Sequence, residues 1–248
     1  MNKQELKSNP AHEGKLLSVE IEYLPTPGTD DISTTAPGGN TELITVVDDG
    51  TPNNGRTIKE IRLLTLTNEE GRMHDLLNIK IDGGVNKNCG LHVHVDARHL
   101  GKNGLRTAEE VYDILASAPV ARQFKKLVSP SRKKNYYCRW RNNRRDFGPR
   151  ARYAAFNYKS LSEHGTIEFR MHQGSVNKIR IESWALLCQW TLNYVANPAN
   201  PPITSFATFV KNMPSFLRTF ATMRRDQLAG DLELSPRIMQ SLVDSDEA

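Results

Sequence analysis

The 248-residue sequence predicts an α+β fold: a mostly antiparallel sheet with helices packed on one face, and a helical C-terminal extension. Three observations lead there. Several short stretches alternate apolar and polar residues with a period of two, the mark of a strand with one buried face. Other stretches carry apolar residues at helical spacing behind recognisable N-caps. The strand patterns run up to Gly174, and helical patterns dominate the chain beyond it.

In chain order, residues 1–14 are polar and read as a flexible tail. Leu17, Val19, Ile21 and Tyr23 then alternate with Ser18, Glu20 and Glu22, which predicts a strand over 15–23. Residues 25–40, rich in Thr, Pro, Gly and Asp, form a loop. A β-type run over 42–47 ends in a turn that continues from Asp48 through Gly55. A strand over 57–66 sets Ile61 and Leu63 on one side, Glu60 and Arg62 on the other. Residues 68–81 read as a helix, stopped by Asp82-Gly83-Gly84. Over 89–96, Leu91, Val93 and Val95 face one way and His92, His94 and Asp96 the other.

Thr107-Ala108-Glu109-Glu110 is a capping box that opens a helix through Ala118, and Pro119 begins another that ends near Val128. Residues 129–152 have no clear period and read mostly as loop. A strand over 152–158 leads through a turn at 162–164 into another over 165–174. In that last strand Ile167, Phe169 and Met171 share one face; Glu168, Arg170 and His172 share the other. Ile181, Trp184, Ala185, Cys188, Leu192 and Val195 mark the core stripe of a helix through about Ala196. A proline-rich break comes next, then one or two helices over 203–228, and Ser235-Pro236 opens a last one.

With 38% hydrophobic and 25% charged residues, the composition is that of a polar globular chain. No apolar run approaches the roughly 18–20 residues that span a bilayer, so no membrane contact is expected. The first residues lack the apolar centre of a secretory signal. Cys89, Cys138 and Cys188 are odd in number and widely spaced, with no CxxC pair. They give no disulfide framework and point to a reduced, cytoplasmic setting.

The net charge of +5 is concentrated. Residues 129–152 hold nine Lys/Arg and one acid, a balance of +8, so the remainder sums to −3. Basicity confined to one segment points to an anionic ligand at one place. Tyr136, Tyr137, Trp140 and Phe147 are interleaved there. Such a mixture suits single-stranded nucleic acid, and equally the phosphates of one nucleotide.

Four strands share a design, each with an apolar face and an opposite face bearing functional groups. The set is Glu20 and Glu22; Glu60 and Arg62; His92, His94 and Asp96; Glu168, Arg170 and His172. Side chains on one face of a strand recur about every 7 Å, twice the rise per residue. Joined in one sheet, these faces form a single surface. Four crowded carboxylates repel and push their pKa values up unless cations intervene. Oxygen-rich ligands with one imidazole suit Mg²⁺ or Mn²⁺ better than a tight zinc site. Metals and arginines together fit phosphoryl transfer from a nucleotide. No GxxxxGK[ST] occurs, so a P-loop is excluded.

Six pieces carry a resemblance to a known family. They are Val19-Glu20-Ile21-Glu22; Asp48-Asp49-Gly50-Thr51 with Glu60; Cys89-Gly90-Leu91-His92-Val93-His94-Val95; Arg132 with Asn135-Tyr136-Tyr137-Cys138; Arg152-Tyr153-Ala154-Ala155-Phe156-Asn157; and Gly165-Thr166-Ile167-Glu168-Phe169-Arg170. In this order, over roughly residues 16–196, the chain resembles the amidoligases. These are carboxylate–amine ligases related in fold to glutamine synthetase and glutamate–cysteine ligase.

The resemblance implies a glutamine-synthetase-like catalytic domain over 15–197, with an extension over 198–248 packed on the same domain. It implies ATP and Mg²⁺ (or Mn²⁺) as cofactors and an amide formed through an acyl phosphate. Glu20, Glu22, Glu60, His92 and Glu168 become metal ligands. Arg170, Glu168 and His94 become catalytic, and Arg132, Tyr136, Arg139 and Asn157 contact the cofactor. The family often continues Val/Ile-Val-Ser-Pro after the third glutamate, whereas here the chain reads Ile61-Arg62-Leu63-Leu64. Arg62 can therefore neutralise Glu60. The implied substrates are an amine and a carboxylate on a small molecule, peptide or modified nucleotide, and the basic loop offers a grip for an anionic macromolecule. Two other classes compete: a metal-dependent hydrolase built on His92 and His94, and a non-catalytic nucleic-acid-binding module built on 129–152.

Overall fold

The computed structural model describes residues 17–27, 44–53, 56–63, 81, 83–140 and 151–230. The tail over 1–14, the helix over 68–81 and the helix opened by Ser235-Pro236 fall wholly or almost wholly outside them.

The described chain combines helices with an antiparallel sheet. Seven strands are present: β1 Leu17–Pro25, β2 Ile44–Asn53, β3 Arg56–Leu63, β4 Gly83–Gly84, β5 Gly90–Asp96, β6 Phe156–Asn157 and β7 Thr166–Gln173. The sheet order is β2-β3-β1-β5-β7-β6, with β4 paired to the end of β1. Every pairing is antiparallel. The strands that carry the acidic and histidine residues, β3, β1, β5 and β7, are therefore consecutive neighbours.

Among the described residues, seven α-helices accompany the sheet: α1 Ala108–Ala116, α2 Ala118–Leu127, α3 Pro130–Lys133, α4 Ser160–His164, α5 Lys178–Ala196, α6 Phe206–Lys211 and α7 Ser215–Ala229. Helix α1 begins at the capping box. Thr107 Oγ1 accepts from the Glu110 N–H, and the Glu110 carboxylate accepts from the Thr107 N–H. Helix α5 packs on β1, β5, α1 and α7, while α7 also packs on α2. Its stripe, from Ile181 through Trp184, Ala185, Cys188 and Leu192 to Val195, is buried.

Leu17, Val19, Ile21, Leu91, Val93, Val95, Ile167 and Phe169 join α5 in one core. Phe124 of α2 sits among four aromatic rings, those of Phe156, Phe169, Trp184 and Phe209, with centroids 5.4–5.9 Å away. Among the described residues, no helix is long and apolar enough to cross a membrane.

Three segments differ from the sequence expectation. Strand β2 does not stop at Val47: it pairs with β3 through Asn53, with a register shift between Asp48 and Pro52 that absorbs the acidic stretch. The strand expected over 152–158 shrinks to Phe156–Asn157, preceded by a 3₁₀ turn over Ala151–Tyr153. The turn expected at 162–164 is the end of α4. It closes on Gly165 at φ +70°, and the Gly165 N–H bonds to the Leu161 and Ser160 carbonyls.

Candidate active site

Sheet register builds the site. Backbone pairing sets Glu22 opposite Glu60, and sets Glu20 opposite Arg62 on one side and His92 on the other. Further along, His94 pairs with Glu168, and Glu168 with Asn157. Directly paired residues project to the same face, roughly 5 Å apart. As a result, ligand atoms of Glu20, His92 and Glu168 lie within 4.8 Å of one another, as do those of Glu22, Glu60 and His92. His92 joins the two groups. Its Nδ1 stands 3.1 Å from Glu20 Oε2 and 3.7 Å from Glu168 Oε1, and its Nε2 stands 3.6 Å from Glu22 Oε1.

Each acid is held by a specific partner. The Gly90 N–H donates to Glu22 Oε2 at 2.5 Å. A Cβ at position 90 would stand 2.8 Å from His92 Nε2 and 3.1 Å from Arg132 Nη2, so this close backbone approach requires glycine. Arg62 Nε donates to Glu60 Oε1. Glu168 receives Asn157 Nδ2 on Oε2 at 2.6 Å and Arg170 Nη1 on Oε1. Asn157 is fixed in turn by the Lys159 N–H, 3.0 Å from its Oδ1. His94 Nδ1 contacts the hydroxyls of Ser160 and Thr166 at 3.1 and 3.0 Å. That leaves Nε2 facing Glu20 Oε1 at 3.5 Å and Glu168 Oε1 at 3.8 Å.

Crowding alone would raise every carboxyl pKa, and Glu60 follows that expectation: burial and the charge of Glu20 raise it against the pull of Arg62. Glu20 and Glu168 depart from it. Burial works against their charge, but hydrogen bonds from His92 and His94 hold Glu20 below the usual carboxylate range. For Glu168 the same opposition is overcome by Arg170 and then by His94 and His92. His94 is the counterpart: burial disfavours its charge, yet Glu168 and Glu20 lift its pKa above the ordinary value. Glu20 and Glu168 are thus held toward their charged forms by basic neighbours on one largely buried face, with Glu168 only 3% exposed.

The remaining candidates divide. Arg132 is 2% exposed and lies beneath the loop surface, its Nη2 donating to the Arg170 carbonyl at 2.6 Å. Tyr136 and Arg139 lie at the rim, with the guanidinium 3.7 Å over the ring. The Tyr136 neighbour Tyr137 accepts Arg170 Nε at its carbonyl, 3.4 Å away. Asp96 is buried at the end of β5 and takes both Nε and Nη2 of Arg98.

His172 is a correction. Alternation puts it beside Glu168 and Arg170, but it is fully buried and packs against Trp184, the rings tilted at 45° with centroids 4.6 Å apart. A register shift between Leu91 and Val93 is the reason: Val93 pairs with Phe169 and Leu91 with His172, so β7 carries an extra residue there and its phase slips. Burial holds the His172 imidazole well below its ordinary pKa. Ser160 and Thr166 were not singled out from the sequence. Thr166 lies within the GTIEFR piece, but nothing marks Ser160, which reaches His94 only through the fold.

A family model described as "Putative amidoligase enzyme" matches residues 131–192, a span that includes β6, α4, β7 and most of α3 and α5. The chain is similar to that family over these residues, and because the description names an amidoligase, the likeness supports a ligase. Comparisons with curated proteins and with solved structures give no match.

Proposed function

We propose that this protein is an ATP- and Mg²⁺-dependent carboxylate–amine ligase whose sheet is of the glutamine-synthetase type. One observation carries the reading: four carboxylates from β1, β3 and β7 converge on one imidazole, His92 of the intervening β5, in two overlapping groups. Four crowded acids, three of them buried and Glu20 partly so, would be costly without compensation, and an oxygen-rich set with one nitrogen donor matches Mg²⁺ or Mn²⁺. Glu20, Glu22, Glu60, His92 and Glu168 are the residues that would hold such ions, which when bound neutralise phosphate oxygens.

In this reading a carboxylate oxygen of the acid attacks the γ-phosphorus of ATP. The β–γ P–O bond breaks and ADP leaves. The amine nitrogen then attacks the acyl carbon, the C–O bond to phosphate breaks, and the nitrogen releases a proton to solvent. Arg170, braced by Glu168 and the Tyr137 carbonyl, supplies positive charge where the phosphoryl group passes. His94, with Nδ1 engaged by two hydroxyls, directs Nε2 at Glu20 and Glu168 and orients both. The engagement of Asn157 with Glu168, and of Arg132 with the Arg170 carbonyl, favours positioning roles over nucleotide contact.

The test is a screen of acids and amines for ADP release. A ligase releases ADP in repeated turnovers only when ATP, Mg²⁺, acid and amine are all present, and Glu168→Gln abolishes it. ATP hydrolysis that ignores both acid and amine would overturn the reading. Stoichiometric zinc with activity independent of ATP would favour a hydrolase built on His92 and His94.

A further inference from the structure

The rim beside Arg170 carries more aromatic surface and more charge than a single nucleotide needs. Tyr136 and Tyr137 are 45% and 47% exposed, the largest rings so open among the described residues. They close with Tyr153 into a mutual cluster, the three centroid separations being 5.1–5.8 Å. Two backbone bonds zip the distant pieces together, Arg139 N–H to the Tyr153 carbonyl at 2.7 Å and Ala155 N–H to the Arg139 carbonyl at 2.8 Å.

Two guanidinium groups lie on this cluster: Arg139 over Tyr136 at 3.7 Å and Arg152 over Tyr153 at 5.0 Å. Among the described residues neither contacts a carboxylate. Their polar contacts are the Tyr136 carbonyl and the Tyr153 hydroxyl. Both belong to the segment with nine basic residues and one acid.

We infer that the Tyr136–Tyr137–Tyr153 face, with Arg139 and Arg152, is a docking platform for single-stranded nucleic acid at the rim of the carboxylate site. The chemistry selects this partner. Bases unstacked in a single strand find π faces on tyrosines and on guanidinium planes, and the phosphates between them meet the Arg139 and Arg152 guanidinium groups. A duplex hides its base faces. An acidic peptide would use the arginines and leave the rings without purpose. One mononucleotide would cover one ring and leave the other exposed ring without a partner. The platform does not depend on ligase chemistry; it places a polyanion next to it.

The experiment is fluorescence anisotropy of a labelled single-stranded oligonucleotide with the full chain, without ATP. The expected result is binding that weakens steeply with salt and exceeds that of the matching duplex, a poly-glutamate peptide or ATP. Tyr136→Ala with Tyr137→Ala should weaken it by roughly tenfold or more, since stacking contributes ~1–3 kcal/mol per base. Tyr137→Phe keeps the ring and should keep the affinity, which guards against an alanine variant that folds poorly. Glu168→Gln should bind like wild type, so failure of the ligase reading leaves this result standing. Equal affinity for duplex or poly-glutamate, full competition by ATP at matched concentration, or an unchanged affinity in the folded double alanine variant would each overturn the platform.

Discussion

Asn157 shows how one neutral side chain supports a charged site. Its amide donates to Glu168 Oε2 at 2.6 Å while its own oxygen is pinned by the Lys159 N–H. Losing such a partner of a ligand residue typically costs about 10–100-fold in metal affinity or activity. Asn157→Ala should therefore lose activity and Mn²⁺ affinity in that range with an unchanged circular dichroism spectrum. Unaltered Mn²⁺ binding would remove its positioning role.

The cysteines make a different prediction at the same scale. All three are free and buried. Burial pushes Cys138 up to about 11, and it also raises Cys188 well above its ordinary value. An unfolded thiol releases its proton near pH 8.5. The unfolded state therefore binds fewer protons between that pH and about 11, so stability falls as pH rises through this window. At pH 8 a thiol-specific disulfide reagent should find no rapidly reacting group in the native protein and three after denaturation. One fast native thiol would contradict this.

At the scale of elements, period-two alternation was enough to foresee which residues share a face wherever the sheet is regular. Glu20, Glu22, Glu60, His92 and Glu168 come together because β3, β1, β5 and β7 are adjacent and in register. Alternation fails where register slips. His172 was misplaced because a bulge cannot be read from a strand's own sequence; it depends on the partner strand. The partners of His94 were illegible for a related reason: Ser160 of α4 and Thr166 of β7 bond each other locally, but only tertiary folding brings them to His94. The stripe on α5 was legible because a helix must bury one face wherever it packs. Phe124, within reach of four rings, joins α2 to the sheet and to α5 and α6. Phe124→Ala should destabilise the protein by about 3–5 kcal/mol in urea unfolding. A loss below about 1 kcal/mol would mean that the aromatic cluster is not the centre of the core.

For the whole molecule, charge is divided by task. An acidic cluster lies on the sheet, and the Arg170 side chain links it to the tyrosine rim, contacting Glu168 on one side and the Tyr137 carbonyl on the other. That juxtaposition suits an enzyme that neutralises phosphate with metal and arginine while gripping an anionic partner outside. The most direct test of the central claim is thermal unfolding of wild type and Glu168→Ala with Mg²⁺, ATP, both or neither. A ligand at 100 times its dissociation constant stabilises the native state by about 2.7 kcal/mol, a shift of roughly 5–10 °C for a chain of this size. The account predicts that shift in wild type only when both are present, and none in the variant. A wild-type midpoint indifferent to ATP and Mg²⁺, or an equal shift in Glu168→Ala, would contradict it.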